Sequence, residues 1–96
     1  MPLFAIVTLD APGSDEARAT HREGHLAHFR DNAKDIAVAG PIFNDEGASK
    51  GSLVILRSES ADAARAWIER DPFHPAGVWQ SIDVSAFKAA SGDWAA

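Results

Sequence analysis

LFAIVTL, residues 3–9, is apolar and β-branched on consecutive positions and is closed by Asp10-Ala-Pro-Gly13, so it reads as a buried strand running into a turn. A second stretch of the same kind, LVIL at residues 53–56, lies within a strand expected over Gly51–Arg57. Strands with one wet face alternate apolar and polar residues, whereas these two are apolar on both sides. They belong to a sheet that wants both faces covered.

The segments outside this pair supply the rest of the sheet and one of its covers. Ser14 can accept a hydrogen bond from free backbone N–H groups, and Asp15 and Glu16 put negative charge at the positive end of a helix dipole. A helix is expected from about Asp15 to Asn32, with Ala19, Arg22, Leu26, Phe29 and Ala33 forming a stripe toward the sheet. Asp35–Ile42 reads as a strand with a Gly40-Pro41 break, followed by the polar turn Asn44-Asp-Glu-Gly47. Ser60 can cap a second helix over about Ala61–Arg70, which must stop near Asp71 because residues before a proline avoid helical angles. Val78–Phe87 alternates as a last strand with unlike faces. The order β-α-β-β-α-β is the ferredoxin-like α+β arrangement, a four-stranded antiparallel sheet with both helices on one face. The other face is left open and apolar, and a face-to-face homodimer is the expected cover. Residues 1–88 make one domain; residues 89–96 read as a loosely held tail in which Trp94 is free to dock on the body or on a partner.

With 96 residues, 46% of them hydrophobic and 24% charged, the chain has room for one core and one domain. A short chain buries a small share of its surface, so self-association helps it. The formal net charge of −5 with scattered basic residues offers no footprint for nucleic acid or an anionic membrane. No stretch reaches the roughly 18 apolar residues of a membrane span, and Met1-Pro2-Leu3-Phe4 lacks a basic leader, so the cytoplasm is the expected location. Without cysteine there is no thiolate nucleophile and no Cys-based zinc site.

Asp71 stands at a helix C-terminus, facing the negative end of the dipole at a cost of about 0.3–1 kcal/mol. Arg70 or a histidine from the first helix would compensate, and an Asp held against an imidazole fixes its tautomer for proton transfer. The plainer alternative is that Asp71 caps the Pro72-Phe73 turn. His25 lies at the edge of the expected buried stripe, where it reaches a cleft or, on the plainer reading, bonds a backbone group. Arg22, one turn earlier, suits a substrate carboxylate or a surface ion pair equally well. His21, His25 and His28 share a helix face at spacings that can chelate a metal, but no acidic ligand at a diagnostic spacing accompanies them. Neither a metal nor any other cofactor is therefore expected. Phe43, Phe73 and Trp79 are pocket or core aromatics, and Gly40, Pro41 and Ser52 would shape a pocket mouth. No nucleophile elbow, phosphate loop or dinucleotide fingerprint is present.

Four signatures together, Arg22-Glu-Gly-His25-Leu26, Ala39-Gly40-Pro41, Gly51-Ser52, and Asp71-Pro72-Phe73 with Ala76-Gly77, resemble the YCII family. The resemblance implies a dimeric α+β barrel of ferredoxin-like subunits and a pocket whose functional residues are His25 and Asp71. Similar domains include muconolactone-processing and chloromuconolactone-dehalogenating enzymes. The expected activity is that of a cofactor-independent lyase, isomerase or hydrolase acting on a small anionic molecule, with Arg22, Gly40, Pro41, Ser52, Phe73 and Trp79 around the substrate. His74 falls outside the family motif and is not carried over. A metabolite-binding module without catalysis and a metal-binding protein built on the first-helix histidines are the alternatives.

Overall fold

The computed structural model describes residues 1–93, so the reading of Trp94 lies outside the described residues. The elements run β1 (Leu3–Asp10), α1 (Asp15–Asp31), a 3₁₀ turn (Ala33–Asp35), β2 (Ile36–Phe43), β3 (Ser49–Arg57), α2 (Ala61–Glu69) and β4 (Trp79–Phe87). The four strands form one antiparallel sheet in the order β2-β3-β1-β4, so the two consecutively apolar strands are its centre. This is the ferredoxin-like α+β fold expected from the order of elements. From Lys88 to Asp93 the chain has neither helix nor strand.

The register explains the double-sided apolar pattern. Phe4, Ile6 and Thr8 of β1 point to the helix side and are buried, with Val54 and Leu56 of β3 beside them. The alternate residues, Leu3, Ala5, Val7 and Leu9, are only half-buried, and they pair with Arg57, Ile55, Leu53 and Gly51 on the face that carries no helix. That face ends at Phe87, still 37% exposed.

The two helices cover the sheet unequally. Ser60 caps α2 by accepting the Ala63 N–H at 3.0 Å, and Ala64, Trp67 and Ile68 are buried in the core. Helix α1 buries no residue fully; Ala17 and Phe29 pack against the core while Leu26 stays 44% exposed and Ala19, Arg22 and Ala33 are exposed. The expected stripe is thus rotated. His25, expected at the stripe's edge, and His28, expected on a polar face, both turn inward, because each finds a hydrogen-bond partner beneath the helix. Ser14 also departs from expectation. Its φ of −89° and ψ of 4° are not the extended geometry of a capping serine, and its side chain makes no cap bond, only its carbonyl accepting from Arg18.

Candidate functional site

Because α1 does not settle onto the sheet, a cavity of about 300 Å³ remains between it and the β2–β3 side, lined among others by Arg22, His25, Gly40, Pro41, Ser52 and Trp79. Arg18, Leu26, Phe29, Ala39, Gly51 and Phe73 complete the wall. Every residue expected around a substrate therefore borders one cavity, while Phe43 lies apart from it and is 55% exposed.

The segment between α2 and β4 places Asp71. Residues 71–78 form a chain of turns, with Asp71 accepting from His74 and Phe73 from Val78 through their carbonyl oxygens, and Gly77 at a φ of +78° lets the chain turn into β4. Asp71 itself is fully buried. Its Oδ1 accepts the Phe73 backbone N–H at 2.8 Å, and its Oδ2 lies 2.6 Å from His25 Nδ1. The turn-capping contact and the histidine contact are both present, one for each oxygen. Arg70 is not an ion-pair partner of Asp71 among the described residues.

The His25 ring is locked on several sides. It stacks on Phe73 at a centroid distance of 4.1 Å and an interplanar angle of 8°, and it meets Phe29 at 4.8 Å and the edge of Trp79 at 6.4 Å. A carboxylate only accepts, so the short contact puts a proton on Nδ1 and leaves Nε2 with its lone pair free. Among the described residues Nε2 has no hydrogen-bond partner, and the ring borders the cavity. The arrangement can take a proton from a small molecule while the buried carboxylate stabilises the charge that forms on the ring.

Two arginines border the cavity with different standing. Arg18, which the sequence pattern does not single out, places Nη2 2.6 Å from each oxygen of Asp10, and its guanidinium lies 5.1 Å from the Phe73 ring centroid. Its charge is matched. The available signal is Asp10 closing a strand and Arg18 in the first turns of the next helix, across a short connection. Arg22 has no ion-pair partner among the described residues and is exposed at the cavity edge.

The helix histidines do not gather. His28 donates from Nε2 to the Trp67 carbonyl at 2.9 Å and ties α1 to α2, while His21 and His74 are exposed. Among the described residues no group of three His, Asp or Glu side chains is arranged to hold a metal.

A ferredoxin-like domain with a buried aspartate oriented on a cavity histidine is the class that fold and site define. The chain belongs to the YCII-related domain family, whose model matches residues 2–88. It is 38% identical over 95 residues to protein YciI of Escherichia coli, covering 90% of this chain and 96% of that one. To an uncharacterised protein of Haemophilus influenzae it is 34% identical over 93 residues, covering 88% and 95% of the two chains. Among solved structures it is similar to 5-chloro-2-hydroxyhydroquinone dehydrochlorinase of Burkholderia phenoliruptrix in complex with 2,5-dihydroxybenzoquinone, at 33% identity and a TM-score of 0.80, covering 90% of this chain and 93% of that one.

Proposed function

We propose that this protein is an enzyme that removes a proton from a small, anionic, oxygen-bearing organic molecule through His25 Nε2, with Asp71 holding the ring. The observation that carries this reading is the 2.6 Å contact between Nδ1 and a carboxylate with no solvent exposure, on a ring that borders the cavity and whose other nitrogen has no partner among the described residues. A surface ion pair would need neither that burial nor the stacked Phe73. Arg22 supplies the unmatched positive charge for an anionic group, and Gly40, Pro41 and Ser52 hold the strand side of the cavity open.

The reaction class is a cofactor-independent lyase, isomerase or hydrolase. The likeness to a dehydrochlorinase supports elimination as the leading form. In that step Nε2 takes the proton, the electron pair it leaves behind forms a new double bond, and the leaving group departs with its own bonding pair. The net change is loss of one acid molecule, with no external oxidant or reductant.

The open sheet face belongs to the same reading as the contact between two copies of the chain. Leu3, Val7, Leu9 and Leu53 are half-buried there in the single subunit, and contiguous apolar surface of this kind is uncommon on a monomer.

The test is turnover of halogenated hydroxyhydroquinones, lactones and small halogenated acids by the native protein and by His25→Gln, which keeps a donor for Asp71 and lacks a base. Turnover lost in the variant is expected. Equal turnover removes His25 from the chemistry, and saturable binding without product moves the protein to a ligand-holding role.

A further inference from the structure

Thr8 comes after Phe4 and Ile6 on the helix side of β1, where the pattern leads to a third apolar residue, and it is fully buried. A buried hydroxyl has to find partners in the interior. Among the described residues both partners of the Thr8 hydroxyl belong to Ser52, the residue opposite it in the β1–β3 register. Thr8 Oγ1 accepts the Ser52 backbone N–H at 3.2 Å, and the two hydroxyl oxygens are 2.7 Å apart.

Counting hydrogens assigns the direction of the second bond. If Ser52 donated, the Thr8 hydrogen would be buried with no acceptor among the described residues. Thr8 therefore donates to Ser52 Oγ, and the Ser52 hydrogen is left to turn away. Ser52 is half-buried and borders the cavity; Thr8 does not. Gly51 makes the approach possible, since a Cβ there would stand 1.8 Å from the Thr8 carbonyl oxygen.

We propose that Thr8 is a positioning residue that fixes Ser52 as a hydrogen-bond donor to the ligand, selecting molecules with a phenolate, enolate or carbonyl oxygen on the strand side of the cavity. The inference rests on the reading of this cavity as the ligand site. Successive hydrogen bonds polarise one another, so the Thr8 hydroxyl strengthens the bond Ser52 gives.

Thr8→Val keeps the branched shape and removes the hydroxyl; Thr8→Ser restores it. Calorimetric titration with 2,5-dihydroxybenzoquinone is expected to show Thr8→Val and Ser52→Ala each weakening binding about tenfold. The double variant should bind no more weakly than Ser52→Ala alone, and Thr8→Ser should bind as the native protein does. Native affinity in Thr8→Val, or additive losses in the double variant, overturns the proposal while leaving the ligand site intact. No binding by the native protein overturns this proposal, whereas the parent reading falls only when none of the hydroxyhydroquinones, lactones and halogenated acids is bound or turned over. A readout independent of ligand and of variant folding is the Thr8 hydroxyl proton by NMR: slow exchange and proximity to Ser52 are expected, and rapid exchange with water overturns the assignment.

Discussion

A Cβ added to Gly24 would stand 2.9 Å from Cγ of Pro72, so α1 and the turn after α2 lie close together one residue before His25 and one residue after Asp71. The close approach accompanies the 2.6 Å contact between the two candidate side chains. Alanine in a helix interior is ordinarily more stable than glycine by about 1 kcal/mol, whereas overpacking against a rigid ring costs about 1–3 kcal/mol. Gly24→Ala is therefore expected to separate His25 from Asp71 in a protein that still folds, the helix gain partly offsetting the packing cost. Thermal melts beside turnover should show activity falling out of proportion to stability.

Asp71→Asn keeps the shape and removes the charge. An amide that turns its NH₂ toward Nδ1 forces the proton onto Nε2, where it blocks the base. Loss of a general base lowers rates by about 10²–10⁴-fold, and that range is expected for kcat. His25→Ala removes the base and also acts on stability, leaving a buried carboxylate oxygen unpaired at about 1–3 kcal/mol. In a domain of this size that lowers the melting temperature by at least about 4 °C, and adding Asp71→Asn should recover part of the loss.

Among the described residues Arg22 is the cavity arginine without an ion-pair partner, while Arg18 is held by Asp10. Arg22→Gln is expected to weaken an anionic ligand about tenfold, with a smaller loss at high salt, and to leave a neutral ligand unaffected. Parallel titrations at two ionic strengths check both parts.

Much of the architecture is legible in the sequence because its signals are local. Two consecutively apolar strands, Ser60 before a helix and Pro72 after it set the element order and most boundaries to within a residue or two. Asp71 stands out for the same reason, as an acid at the wrong end of a helix. That same acid points to a histidine of α1 as its partner, but the rotation of α1 is not legible, because it depends on what lies beneath the helix. His25 and His28 face inward on account of Asp71 and the Trp67 carbonyl, each some forty residues away in the chain, and a pattern that counts histidine as polar turns the helix outward by about a residue. Thr8 is hidden inside an apolar strand, and its role becomes visible only through the register that sets it opposite Ser52.

The open sheet face gives a prediction that does not involve the cavity. Val7 and Leu53 pair at the centre of that face and are half-buried. Light scattering is expected to find a dimer for the native chain and a folded monomer for Val7→Glu, since a charge buried between two sheets without a partner is strongly unfavourable.

Proton–nitrogen correlation NMR on the histidine rings, with His25 assigned by its absence in His25→Gln, tests the proposed role of the pair most directly. In the neutral ring a proton on Nδ1 and a bare Nε2 are expected, together with a shift of the Nε2 signal when 2,5-dihydroxybenzoquinone is added. A proton on Nε2 with Nδ1 bare, or an Nε2 signal that ignores a bound ligand, would contradict that role.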